Sequence, residues 1–327
     1  MDTPQEKIEK YKSKIAEYED KIAELKKEIL ERLERLHKDK RDNIFTATTE
    51  KEFFDLFKSN FIIFCWNKII DANLIKKYEY VFNSEKIYLN VDISDGFLFA
   101  SDNSKVKALD NSKVFAFENS TVSAYQNSKV FAYQNSKVKA RDNSEVTAYD
   151  NSEVNAYDNS EVKAFDNSKV TAYDNSVVFA RGNSKVSARD NSEVTAFDNS
   201  KVNASDNSKV TAYDNSVVFA FDNSKVISCD NSEVNATGNS EVFAYQNSKV
   251  FATENSEVTA CDNSKVFAYG NSKVTATDNS LVISHDNSEV TACDNSKVFA
   301  YGNSKVTATD NSKVISSDNS KVNDLRK

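Results

Sequence analysis

Histidine, proline, methionine and tryptophan are almost missing from this chain, whose 327 residues hold 2 His, 1 Pro, 1 Met and 1 Trp. With only His37 and His285, far apart in sequence, neither a histidine-activated nucleophile nor a histidine-built metal site is at hand. The 5 glycines form no phosphate-cradling loop. No apolar run approaches the roughly 18–20 residues that cross a bilayer, so no membrane partner is expected. The polar start, Met1 to Glu9, has no apolar signal core, which leads us to expect a cytoplasmic protein. Basic groups number 42 against 50 acidic ones, a net charge of −8 that argues against nucleic acid as a partner.

Repetition is what the chain has instead, and it outranks every other signal. Residues 102–325 are 28 consecutive octads of the form Asp-Asn-Ser-x-Val-x-Ala-x. Asn, Ser and Val occupy positions two, three and five in all 28, and position seven is Ala in 24, with Ser228, Ser284, Ser316 and Asp324 as the exceptions. The period-two alternation Ser-x-Val-x-Ala predicts a strand, and Asp-Asn between strands predicts a turn, with Asn expected to take the left-handed conformation. Positions three, five and seven are small and nearly invariant, as close-packed interior sites must be, whereas four, six and eight vary. Ser, Val and Ala therefore point inward, and position four, with 16 Lys and 8 Glu, points outward.

So thin a core suits a flattened parallel β-solenoid of two facing sheets, with two octads to each coil. Residues 258–280 recur unchanged as 290–312, a shift of two such coils, while the recurrence of 168–180 as 208–220 fits no whole number of them. Fourteen coils would make a rod of roughly 65 Å.

Two further blocks precede the octads. Residues 43–101 are aromatic-rich and predict a small α+β cap over the first coil. Thr49 and Glu52 form a capping box ahead of Phe53, Phe54 and Phe57; Asp71 is placed to cap a helix through Tyr78, and 86–93 alternates as a strand. Residues 1–42 set Ile8, Ile15, Ile22, Ile29 and Leu36 on one heptad position, with Tyr11, Tyr18, Leu25 and Arg32 on the paired one. This predicts a coiled-coil dimer or trimer, with Ile8, Ile15, Ile22, Leu25, Ile29 and Leu36 as oligomerisation residues. Arg32 interrupts the seam, and Leu33 beside it suggests a slip after Ile29. The alternative is a helix folded back on the cap.

No catalytic, cofactor or metal residue is assigned. Cys229, Cys261 and Cys293 recur every 32 residues, which in this coil puts them roughly 9–10 Å apart, beyond disulfide reach. Asp at position one occurs in 19 octads, but Gln, Glu and Gly replace it, which favours a turn over a cation ladder. The outer face carries more information. One sheet should align Phe251, Phe267, Ile283, Phe299 and Ile315 in a column beside Tyr269, His285 and Tyr301, a candidate partner surface. The alternative is a ladder that satisfies itself by stacking. The opposite sheet should align Thr259, Thr275, Thr291 and Thr307 beside Cys261, Thr277, Cys293 and Thr309.

Octads such as Asp-Asn-Ser-Lys-Val-Thr-Ala-Tyr at 206–213, with Cys65-Trp66 upstream and repeats following Ser101, resemble the octapeptide-repeat proteins of phage and prophage genomes. The resemblance spans residues 43–325, implies no settled activity and carries no functional residues over. It would make the protein virion-associated if phage-encoded. The function expected is therefore a non-enzymatic structural or interaction rod that binds a protein partner. Two alternatives are a self-assembling filament resembling bactofilins and an inhibitor that mimics nucleic acid; the octads' 22 basic groups among 30 acidic ones argue against mimicry.

Overall fold

The computed structural model describes residues 3–34, 47 and 49–326. Five helices lead: α1 (Pro4–Leu33), α2 (Glu50–Ser59), α3 (Phe61–Trp66), α4 (Ala72–Lys77) and α5 (Glu79–Ser84). Strands β1 (Ile87–Leu89) and β2 (Phe97–Ala100) follow. Every octad then gives one four-residue strand, from β3 (Lys105–Ala108) to β30 (Lys321–Asp324).

Alternate octads fall on opposite sheets, one of 16 strands and one of 14, and all pairings are parallel. Val146 lies beside Val162 and Val162 beside Val178, so each coil takes two octads as expected, stacked fourteen times. The protein is thus a flattened two-sheet β-solenoid. From Val106 to Val306 the valines of position five are at most 3% exposed, and the alanines of position seven are fully buried. The serines of position three are buried as well from Ser112 to Ser312. Most of their hydroxyls donate to the carbonyl three residues back, as Ser136 does to Tyr133 at 2.7 Å and Ser224 to Phe221 at 2.6 Å. A buried hydroxyl without such a partner would cost about 1–3 kcal/mol.

The corner differs from expectation in one respect. The left-handed residue is position one, not Asn: Asp142, Asp158 and Asp214 have φ of 59°, 59° and 56°, and only Asn103 and Asn119 among the asparagines of position two share that sign. The octads' glycines, Gly182, Gly238, Gly270 and Gly302, all stand at position one, where positive φ suits them. Asp is favoured there because its carboxylate accepts from the position-one N–H of the preceding coil: the Gln126 N–H donates to Asp142 at 3.2 Å and the Asp198 N–H to Asp214 at 3.1 Å. A glycine receives this bond, as Gly182 N–H donates to Asp198 at 3.1 Å, but has no side chain to return one.

The cap also departs from expectation. The strand expected over 86–93 stops at Leu89, where Asn90 turns with φ 52°, and Val91 is exposed. Ile93 instead bridges to Ala108 across the other sheet. The solenoid begins before its first octad: Leu98 sits beside Val114 and Ala100 beside Ala116, in the interior positions of Val and Ala. The cap helices do more than cover an end. They also lie over the outer face of the first coils, where Phe99 and Phe115 become 6% and 3% exposed. The ring of Phe61 meets those of Phe97 and Phe115 at 5.6 and 4.9 Å. The capping box of Thr49 and Glu52 and the cap of Asp71 on Leu74 form as the sequence suggests.

The corner ladder predicts an order of stabilities at Asp214. Asn keeps an acceptor and tolerates positive φ, so Asp214→Asn should stay near the parent. Asp214→Gly loses the bond but not the conformation. Asp214→Ala loses both and should cost about 1–2 kcal/mol, the sum of a hydrogen bond and left-handed strain. Denaturation midpoints would show this order, and an alanine variant more stable than the glycine one would contradict it.

Candidate interaction surfaces

Side chains alternate across a strand, so an interior of Ser, Val and Ala leaves positions four, six and eight outside. In-register stacking turns each of these into a column. On the fourteen-stranded sheet, Phe251, Phe267, Ile283, Phe299 and Ile315 are direct neighbours in that order, as expected. The rings of Phe251 and Phe267 stack at 4.9 Å, so each covers its neighbour's face and leaves an edge to solvent. The first four residues are half-buried and Ile315 is 55% exposed. Tyr269, His285 and Tyr301 form a second stack beside them, at 5.2 and 4.9 Å.

The third column of this face is cationic, with Lys249, Lys265, Lys297 and Lys313 at position four and Leu281 in their midst. Lys249 lies 4.3 Å from the ring centre of Phe251, Lys265 5.0 Å from Phe267 and Lys297 4.7 Å from Phe299. Lys249 has a loose ion pair with Glu233 at 3.7 Å, while among the described residues Lys265, Lys297 and Lys313 have no carboxylate partner. The opposite sheet differs. Thr259, Thr275, Thr291 and Thr307 align there, flanked by Glu257, Lys273, Glu289 and Lys305, whose charges pair between coils at 3.5 and 3.0 Å.

Aromatic columns recur elsewhere. Phe117, Tyr133, Tyr149 and Phe165 stack at 4.9–5.1 Å, and their first members lie in the junction with the cap. Burial pushes the Tyr133 phenol and the Cys65 thiol up. At the same junction, burial and the neighbouring Asp102 carboxylate raise Glu118. Cys65, Cys229, Cys261 and Cys293 are free thiols. Burial, with Asp230 nearby, raises the Cys229 thiol. Among the described residues, no three His, Cys, Asp or Glu side chains are grouped to hold a metal ion.

The heptad stripe of α1 is divided. Ile22, Leu25, Ile29 and Leu33 are buried against the cap in one core with Phe53, Phe54 and Phe57. Ile8, Tyr11 and Ile15 are 53%, 67% and 56% exposed. The expectation of one continuous intermolecular seam is therefore corrected for Ile22, Leu25 and Ile29, which the chain uses within itself. An apolar stripe has the same spacing whether another copy or the same chain covers it. Leu36 lies outside the described residues. Arg32, the misfit of the heptad, binds Glu28 at 2.8 Å, Asp71 at 3.0 Å and the Ile69 carbonyl at 3.2 Å. Glu28 also accepts from Lys77 at 2.7 Å and from the Tyr78 hydroxyl at 3.0 Å. These charged pairs latch α1 to the cap.

Sequence reasoning did not anticipate the column Phe99, Phe115 and Phe131 under the cap helices. Its signal was Phe at position six in two consecutive coils next to a phenylalanine-rich block. Comparison with protein-family models, with curated proteins and with solved structures gave no match to this chain.

The latch sets a pH dependence. Lys77, then Arg32 and Tyr78, hold the Glu28 carboxyl below its ordinary value, so it binds protons less readily folded than unfolded. Its stabilising effect is present above the ordinary carboxylate range and is lost as pH falls through the lowered folded value. Amide exchange over 22–33, corrected for intrinsic rates, should accelerate below about pH 4. Glu28→Gln should weaken protection at neutral pH and flatten that dependence; an unchanged acid profile would contradict the latch.

Proposed function

We propose that this protein is a non-enzymatic interaction rod of the phage or prophage kind, held as a dimer or trimer by the free half of α1 and presenting a ladder surface to a protein partner. The observation that carries the reading is the distal column from Phe251 to Ile315, in which five consecutive coils place an apolar residue on the outer face. Scattered apolar residues on a surface are ordinary, but a continuous column is a feature of interfaces. The exposed Ile8, Tyr11 and Ile15 support self-association, because a projecting half-helix gains little from its own hydrogen bonds and is stabilised when its apolar stripe is covered. A filament of rods stacked end to end is less well supported, since α4 and α5 pack against β1, the first rung of its sheet. The reading places the protein in the cytoplasm or in a virion.

Two variants test the two halves. Ile8→Asp with Ile15→Asp should reduce the mass in light scattering to that of one chain, with the helix still latched through Ile22, Leu25 and Ile29. Phe267→Lys with Phe299→Lys should leave the circular dichroism and the mass unchanged but abolish specific association in pull-downs. An unchanged mass in the first would sink the oligomer, and persistence of every association in the second would reduce the column to a self-stacking ladder.

A further inference from the structure

The first coils show what an outer phenylalanine column accepts in this molecule. Phe99, Phe115 and Phe131 are direct neighbours at position six, and the rings of Phe115 and Phe131 stack at 5.2 Å, as those of Phe251 and Phe267 do at 4.9 Å. The earlier column is covered by the cap, whose Phe61 ring lies 4.9 Å from that of Phe115. The distal column has the same chemistry, but among the described residues no helix covers it: its first four members are half-buried and Ile315 is exposed.

We propose that the distal column is the docking site for an amphipathic helix of another protein, one that carries carboxylates along one flank of its apolar stripe. This rests on the reading of the protein as an interaction rod and names the chemistry of its partner.

Spacing selects a helix. The apolar stripe runs along the rod, one residue per coil, at roughly 4.8 Å per step. A helix turn advances about 5.4 Å, so successive turns fall close to successive coils. Same-side residues of an extended strand recur at roughly 6.8 Å and lose step at once. From Phe251 to Ile315 the stripe is about 19 Å long, which a helix of about thirteen residues would span.

Charge selects the flank. The apolar stripe is bordered on one side by Lys249, Lys265, Lys297 and Lys313, three of them without a carboxylate partner among the described residues. The corner aspartates beyond them, Asp262, Asp278 and Asp294, are drawn into the turn ladder, where Asp278 accepts from the Asp262 N–H and Asp294 from the Asp278 N–H. Midway, Leu281 and Ile283 replace the Lys–Phe pair, so the face has an apolar centre with lysines towards both ends, the usual anatomy of an interface. The other side of the stripe offers hydroxyls and an imidazole from Tyr269, His285 and Tyr301.

Other occupants fit less well. Nucleic acid would match the lysines, but these rings stack on each other and offer edges, not faces, to a base. The same face of a second copy would set lysines against lysines, or over Tyr269 and Tyr301, without an acid. The free half of α1 from another copy carries Lys7, Lys10, Lys12 and Lys14 against Glu6, Glu9 and Glu17, so it brings no surplus of carboxylates to the lysine column.

The test measures binding of fluorescent fifteen-residue helical peptides to the full chain. One peptide carries a leucine stripe flanked by glutamates; a second has lysines in their place; a single-stranded oligonucleotide is the third probe. The glutamate peptide should bind at least ten-fold tighter than the lysine peptide, and its affinity should fall as salt rises. Lys265→Glu with Lys297→Glu and Lys313→Glu should reverse that preference, while unchanged circular dichroism reports the fold. Equal affinity for both peptides, tighter binding of the oligonucleotide, or no peptide binding at millimolar concentration would overturn the proposal. If the peptides fail but Phe267→Lys with Phe299→Lys still abolishes a cellular association, the interaction rod stands and only the acidic helix falls. If that variant loses nothing either, both fall.

Discussion

Each residue of the rod lies directly against its equivalent two octads along the chain, and this parallel register governs everything else. Inside, it stacks Val on Val and Ala on Ala between the two sheets, in one continuous buried core. At most corners it brings the position-one side-chain oxygen onto the preceding coil's N–H, which is why Asp, Glu and Gln are interchangeable there and Gly is tolerated. Outside, it makes like stack on like, so rings face rings and opposite charges settle one coil apart. A substitution at an outer position therefore alters a column rather than a point.

That regularity explains how much could be read from the sequence. Period two gave the strand, uniform small residues gave the inner face, and the thinness of that core gave the coil, with the four-octad offset of 258–280 in agreement and the five-octad offset of 168–180 not. Once the coil was known, the neighbours of Phe267 or Thr275 followed by arithmetic. Where the repeat stops, legibility falls. Leu98 and Ala100 occupy an ordinary rung, but one rung without its Asn-Ser corner does not announce itself. General propensity points to Asn as the left-handed residue, but the better signal is that glycine enters the octads only at position one. The division of the α1 stripe was illegible for a deeper reason. Ile15 and Ile22 have the same spacing and chemistry, and only the tertiary placement of Phe53, Phe54 and Phe57 makes one exposed and the other buried.

The two sheets present different surfaces on one scaffold. The sixteen-stranded sheet is neutralised towards its distal end, where Glu257, Lys273, Glu289 and Lys305 pair across coils beside threonines. The fourteen-stranded sheet keeps a lysine column and an apolar column there, with few carboxylates to balance it. Such a face is small, on the order of 300 Å² in plan from its five coils and strand width, well below the roughly 800 Å² that each partner of a stable complex buries. One rod would hold its ligand weakly. Two or three rods joined through α1 would offer the face in multiple copies, and linkage raises avidity without any new contact. On the proposed reading, oligomerisation at one end would multiply the recognition faces at the other.

The register itself can be measured directly. Spin labels at Thr195 and Thr291, both outward on the sixteen-stranded sheet, lie six coils apart if each coil takes two octads. With the native cysteines replaced by serine, pulsed dipolar spectroscopy should give a distance centred near about 29 Å, six steps of roughly 4.8 Å. A coil of three octads would place the same labels four steps apart, at roughly 19 Å. A distribution centred on the shorter distance would contradict the two-sheet coil and, with it, every column described above.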